Sequence, residues 1–279
     1  MFKRVLAAVA ALLSITAGGL LAAPTAAHSA PTWAPAASAS IHPGVMMFTE
    51  GAQCTANFVF TDASAVYLGY AAHCAGTGEA TETDGCLAAS LPLGTPVEID
   101  GATRPGTLAY SSWLTMQAAG ETDADACAYN DIALVRLDPA DVVRTNPSIP
   151  HWGGPVALNT TGNPALASVY SYGNSSLRQG VALLSPKTGV SLGTSGAGWT
   201  HPVYTVSPGI PGDSGSAFLD ASGRATGVLS TLALAPLAAS NNVSDLNLAL
   251  NYMRSHGGPQ ASLALGTEPF DPNQLPLGL

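Results

Sequence analysis

From residue 44 onward the chain is cut into short runs of β-branched, aromatic and aliphatic residues, each closed by Gly, Pro, Asp or Asn. Residues 45–48, 55–60, 66–70, 97–99, 107–114 and 132–137 make a first set, and residues 165–172, 180–184, 203–206, 216–219 and 224–232 a second. Short runs bounded by turn residues read as strands. Two successive sets with few helical stretches between them predict paired antiparallel barrels rather than a β-α-β sheet. Pro139, Pro147, Pro150 and Gly153-Gly154-Pro155 form an extended crossing. This places an N-terminal barrel over 44–155 and a C-terminal barrel over 156–240. One helix is predicted within 241–258, where Ser244 or Asp245 can cap it. Leu246, Leu250 and Met253 then share a face, and Gly257-Gly258 stops it. Residues 259–279 are read as an extended Pro-rich tail.

The beginning of the chain has the pattern of a secreted protein. Lys3 and Arg4 precede an uncharged apolar run, and small residues follow at Ala23, Ala27 and Ala30. A signal peptide over 1–30 is expected, then a linker or short pro-segment over 31–43, rich in Ala, Pro and Ser. Apolar residues make up 47% of the chain and charged ones 10%, with a net charge of −9. That balance disfavours nucleic acid and anionic membrane surfaces as partners. Four cysteines, Cys54, Cys74, Cys86 and Cys127, suit two disulfides in an extracellular chain, with three connectivities open. No Cys-x-x-Cys or His-x-x-x-His spacing favours zinc, and neither a metal nor a cofactor is expected.

Three stretches carry chemistry. Gly212-Asp213-Ser214-Gly215 sets a hydroxyl between two glycines, which allow a tight turn and close approach of a carbonyl. Alone it also fits a surface turn, because a serine needs a base to act as nucleophile. Ala71-Ala72-His73-Cys74 follows a strand-like run and offers that base. Asn130-Asp131-Ile132-Ala133-Leu134 opens an apolar strand with a carboxylate, costly to bury unless a donor such as an imidazole N–H meets it.

Together, in the order His, Asp, Ser, these motifs resemble the chymotrypsin-like (trypsin-fold) serine peptidases, most closely the secreted actinobacterial type. The resemblance spans residues 44–258. It implies an all-β chain of two antiparallel Greek-key barrels, with a C-terminal helix and the site in the cleft between the barrels. It implies His73, Asp131 and Ser214 as catalytic residues, the amides of Gly212 and Ser214 as oxyanion donors, and a histidine-loop bridge Cys54–Cys74, which leaves Cys86–Cys127. The implied activity is secreted endopeptidase on peptide or protein substrates. A proteinaceous inhibitor is a further expected partner, and a monomer without membrane attachment after signal removal is the expected form. A catalytically inactive binding protein of the same fold is the alternative. The remaining histidines, His28, His42, His151, His201 and His256, have weaker claims, with His201 expected at a turn.

The chain departs from the family in several places. No Ile-Val-Gly-Gly-like start supplies an amine to Asp213, and Arg178 is the candidate cation in its place. Pro208 stands where trypsin-like members carry an acid at the pocket floor, and Leu229 where glutamate-specific members carry a histidine. Leu232 replaces a wall glycine beside Ser230 and Thr231. A pocket formed by Pro208, Ser230, Thr231 and Leu232 is therefore expected to favour small or medium apolar side chains.

Overall fold

The computed structural model describes residues 31–78, 83–233 and 237–274; the expected signal peptide lies outside them. The first sheet contains β1 (Met46–Thr49), β2 (Ala52–Thr55), β3 (Val59–Thr61), β4 (Val66–Tyr70), β5 (Pro96–Ile99), β6 (Gly106–Ser111) and β7 (Ala133–Arg136). The second contains β8 (Ala157–Leu158), β9 (Ser168–Tyr172), β10 (Pro186–Ser191), β11 (Thr200–Thr205), β12 (Ala217–Asp220), β13 (Arg224–Ala233) and β14 (Ser240–Asp245). The last strand, β15 (Ser262–Leu263), returns to the first sheet, whose order is β15-β3-β4-β7-β6-β5-β1-β2. The second runs β12-β9-β10-β11-β14-β13-β8, and pairing of β12 with β13 closes six of its strands into a barrel. The first sheet curls into a half-barrel.

The core follows from the strand patterns. Phe58, Phe60, Leu68, Tyr70, Leu108, Ile132 and Leu134 are buried together in the first barrel. Val169, Val203, Phe218, Leu229 and Val243 fill the second. Disulfides join Cys54 to Cys74 and Cys86 to Cys127.

Several elements differ from the sequence reading, each for a local reason. The run 55–60 is two strands, because Asn57 Oδ1 accepts from the Phe58 amide at 2.7 Å and competes with the ladder. The run 107–114 stops at Ser111, which caps α1 (Ser112–Ala119); Gly120 ends that helix at φ 64°. A second helix, α2 (Ala124–Tyr129), starts at Asp123, whose carboxylate accepts from the amides of Asp125 and Ala126. The run 180–184 is not a strand but ends in a 3-10 turn, Ala182–Leu184, since Gln179 and Gly180 both take positive φ and reverse the chain. β10 and β14 carry Pro, Gly, Lys and Asn and so lack a strand-like pattern. Lys187 and Asn241 are nonetheless buried, and their polar groups find partners in Asp213 and Gly209.

The terminal helix, α3 (Leu246–Ser255), is capped by Asp245, which accepts from the Leu248 amide at 2.6 Å. Leu246, Leu250 and Met253 are on its buried face. Residues 241–245, expected within it, belong to β14 instead. Upstream, Ile41 is fully buried, and Ala34 exchanges hydrogen bonds with Thr145 and Asn146, so the 31–43 stretch packs on the first barrel. The tail bonds the inter-barrel crossing: the Gly266 amide donates to Pro155, and the Gly154 amide to Glu268. Among the described residues, no helix is long and apolar enough to cross a membrane.

Candidate active site

A cleft of about 630 Å³ lies between the two barrels, and His73, Asp131 and Ser214 all line it. His73 sits on a single 3-10 turn after β4, and the adjacent Cys74 is fastened to the end of β2 through Cys54. Asp131 lies two residues before β7 and is nearly fully buried. The cost of burying this carboxylate is offset by a full set of donors. Oδ1 accepts from the His73 amide at 2.9 Å. Oδ2 lies 2.7 Å from His73 Nδ1 and accepts from Ser230 Oγ at 2.6 Å.

A carboxylate only accepts, so the ring proton must reside on Nδ1, leaving Nε2 free to take a proton on the cleft side. Burial pushes the His73 pKa down, but the charge of Asp131 and its hydrogen bond outweigh it and hold the value above 6.5. Burial likewise pushes Asp131 up, but the charge and hydrogen bonds of His73, with Ser230, hold it below 3.8. Ser230, expected among the substrate-binding residues, lines the cleft and also braces the carboxylate through its hydroxyl. Among the described residues, no hydrogen bond joins Ser214 Oγ to the ring, and such contacts commonly tighten only when substrate binds.

The turn carrying Ser214 is set peptide by peptide. A planar trans peptide points its C=O and N–H in opposite directions. Ser175 Oγ donates to the Pro211 carbonyl at 2.5 Å, which turns the Gly212 amide the other way. The Ser216 amide donates to the Asp213 carbonyl at 3.0 Å, which similarly directs the Ser214 amide. Among the described residues neither amide, Gly212 nor Ser214, has a hydrogen-bond partner. Gly212 and Gly215 have φ of 94° and 89°, conformations that suit glycine. A Cβ on Gly215 would stand 2.5 Å from the Thr55 carbonyl oxygen, so the turn abuts the first barrel directly.

Beneath the turn, Asp213 is completely buried. Arg178 Nη2 donates to its Oδ2, and Lys187 Nζ lies 3.1 Å from the same oxygen. The Ile210 and Ser175 amides complete the shell, each at 3.1 Å. Arg178 thus meets the expectation of a substitute cation. Lys187, fully buried, was not legible, because a lysine between Pro186 and Thr188 looks like a surface residue. Burial lowers its pKa from 10.5, opposed by Asp213 and aided by Arg178.

Thr231, Leu232 and Ser230 line the cleft with Gly209, Ile210, Leu229 and Asn241; Pro208 is not among the lining residues. The Pro208 carbonyl turns inward to Arg178 and Lys187, at 3.3 and 3.5 Å. Asn241 Oδ1 accepts from the Gly209 amide at 2.8 Å, holding that wall against β14. Trp113, on α1, closes the cleft on the side of His73, its ring 6.4 Å from the imidazole. His201, expected at a turn, is buried on β11 with Nε2 2.7 Å from Asp245 Oδ2, outside the cleft. No described residue of the tail lines the cleft.

No protein-family model and no curated protein matches the sequence. Solved structures match in three dimensions. Thermobifida fusca protease A aligns with a TM-score of 0.51 at 17% identity, covering 81% of this chain and 99% of its own. Nocardiopsis protease aligns at 0.48 and 19%, covering 80% and 98%. Cellulomonas bogoriensis chymotrypsin aligns at 0.48 and 18%, covering 81% and 98%. The first of these likenesses shows the fold: the chain has the two-barrel chymotrypsin fold.

Proposed function

We propose that the chain is a secreted serine endopeptidase that cleaves peptide bonds through an acyl-enzyme. The observation that carries this reading is a convergence in one cleft. A half-buried His73 paired with a buried Asp131 and keeping a free ring nitrogen, the Ser214 hydroxyl and two unpartnered amides line or border the same space. Ser214 Oγ attacks the scissile carbonyl carbon while its proton passes to His73 Nε2. The Nδ1 proton stays on the ring, and Asp131 stabilises the imidazolium so formed. The carbonyl oxygen, now carrying the charge, is received by the amides of Gly212 and Ser214. The C–N bond then breaks as His73 returns its proton to the leaving amine. Water repeats the sequence and releases the acid.

The same reading assigns the primary pocket to small or medium apolar side chains. Its walls include Ile210, Leu229 and Leu232, and the Asn241 amide is occupied by Gly209 and Thr231. Among the described lining residues the carboxylate is that of Asp131, already engaged by His73 and Ser230, so none is left for a buried Lys or Arg head group. Leu232, about half exposed, adds bulk at the rim where a glycine would leave room for a large ring. Two disulfides and the expected signal peptide support an extracellular setting.

Labelling by a serine-directed fluorophosphonate, abolished by Ser214→Ala, tests the chemistry, and a peptide-library digest tests the pocket. Absence of labelling on folded wild-type protein would favour a binding protein of the same fold. Cleavage dominated by Arg, Lys or Glu would refute the apolar pocket.

A further inference from the structure

The oxyanion donors of this site are held by a device that spans both barrels. The Pro211–Gly212 peptide has two faces, and only one turns its N–H into the cleft. Ser175, on the loop after β9, is almost fully buried and donates its hydroxyl to the Pro211 carbonyl. The next carbonyl along, that of Gly212, is held from the opposite barrel. Gln53 Nε2 donates to it at 3.0 Å and Thr55 Oγ1 at 2.7 Å, both from β2. Gln53 also grips the loop that carries Ser175. Its Nε2 donates to the Asn174 carbonyl at 3.1 Å, and its Oε1 accepts from the Ser176 amide at 3.0 Å. The packing leaves no slack: a Cβ at Gly212 would lie 2.3 Å from Gln53 Oε1 and 2.9 Å from Ser175 Oγ.

We infer that Ser175 is a positioning residue for the oxyanion site and that Gln53 is the cross-barrel latch that holds it there. The inference rests on the endopeptidase reading for its kinetic consequence, though not for its geometry. Without the Ser175 hydroxyl, the Pro211 carbonyl loses the partner that keeps it out of the cleft. Rotation of that peptide would then aim an oxygen, rather than an N–H, at the developing negative charge. Without Gln53, the loop bearing Ser175 and the Gly212 carbonyl lose their common anchor. Ser175 does not line the cleft, and Gln53 lines it away from the triad hydrogen bonds, so substrate affinity should change less than transition-state stabilisation, most clearly for Ser175.

The test compares wild type, Ser175→Ala, Ser175→Thr and Gln53→Leu as full chains, by peptide hydrolysis, affinity for a peptide trifluoromethyl ketone, thermal melting and crystal structure. Removing an oxyanion donor outright costs about 100- to 1,000-fold in kcat. A donor that is misaimed for part of the time should cost less. Ser175→Ala is expected to lower kcat by roughly 10- to 100-fold, with KM within about twofold and ketone affinity falling in step with kcat. Ser175→Thr keeps the hydroxyl and should recover most of the rate. Gln53→Leu should show the same signature and covers the case in which Ser175→Ala fails to fold. A lowered Tm with kcat and KM unchanged in both variants would make the contacts merely structural and overturn the inference. If wild type neither labels nor hydrolyses, the endopeptidase reading fails, and the crystal structures still decide. A Gly212 amide turned from the cleft in Ser175→Ala supports the latch, and an amide unmoved overturns it.

Discussion

Replacing Asp213 with asparagine should destabilise this protein in a way that a second substitution partly reverses. The asparagine keeps the shape of the aspartate but removes its charge. It also presents an NH2 group toward Arg178, Lys187 or the backbone amides that now donate to the carboxylate. Two cations are then left buried around one neutral group. Removing one partner of a buried pair typically costs about 3–5 kcal/mol. Lys187→Met, by contrast, leaves the Arg178–Asp213 pair intact and should cost about 1 kcal/mol, within the usual range for single substitutions. The double variant Asp213→Asn/Lys187→Met should therefore be more stable than Asp213→Asn alone, with a coupling of about 2 kcal/mol.

Urea unfolding followed by tryptophan fluorescence, using the four native tryptophans, reads these differences as shifts in midpoint. The pH dependence has a definite sign. A lysine whose folded pKa is lowered binds fewer protons folded than unfolded. The penalty is thus relieved as pH rises from the folded value toward 10.5, and more steeply in Asp213→Asn, where the opposing carboxylate is gone. A double variant less stable than Asp213→Asn, or an Asp213→Asn variant within about 1 kcal/mol of wild type, would refute the reasoning.

Other outcomes follow from the same structure. The acid limb of kcat/KM should have its midpoint above 6.5, because the base must be neutral and Asp131 holds the His73 pKa up; Asp131→Asn should move a His73 NMR titration downward. For stability, the His73 contribution is complete below 6.5 and fades as pH rises through its raised value, whereas that of Asp131 is complete above 3.8 and fades below it. The pair should therefore stabilise most between those limits, as a pH series of unfolding midpoints would reveal. Cys86→Ser/Cys127→Ser opens a bridge spanning 41 residues and should cost about 4 kcal/mol, read as a fall in Tm. Gly215→Ala should reduce kcat/KM by at least about 100-fold, since its Cβ meets backbone that cannot yield and the Ser214 turn must shift. Leu250→Ala should cost about 2–5 kcal/mol in urea unfolding while leaving kcat near wild type at low temperature.

What was legible in the sequence was what repeats or what is locally self-sufficient. Strand β4 reads directly from Val66-Tyr67-Leu68-Gly69-Tyr70, and α3 from the spacing of Leu246, Leu250 and Met253 behind a capping aspartate. The His73, Asp131 and Ser214 motifs are local, and the fold brings all three to one cleft. The parts that escaped depend on partners distant in sequence. Residues 241–245 of β14 read as the start of the terminal helix until Asn241 is seen bonded to Gly209, and Lys187 looks solvent-facing until Asp213 is placed beneath it. Helices α1 and α2 carried usable signals, a serine and an aspartate cap with Gly120 between them. Their short length and weak apolar patterning made those signals easy to pass over. Gln53 gave no signal, because an amide side chain bridging two barrels has no sequence neighbourhood to mark it.

Strand β15 has a consequence for how the chain is made. Ser262 pairs with Thr61 and Leu263 with Phe60, and the Ala264 amide donates to the Val59 carbonyl. The flank of β3 is therefore completed by residues synthesised some two hundred positions later. During vectorial synthesis, the first half-barrel emerges with that edge unpaired, and such an edge is a template for pairing with another chain. Emergence of residues 262–264, rather than of the first barrel alone, sets when the edge can be covered. Holding this long-range closure open also slows folding relative to local assembly. Nascent chains stalled before residue 262 should be the aggregation-prone species, and a factor that shields an exposed strand edge would act on them before the site exists.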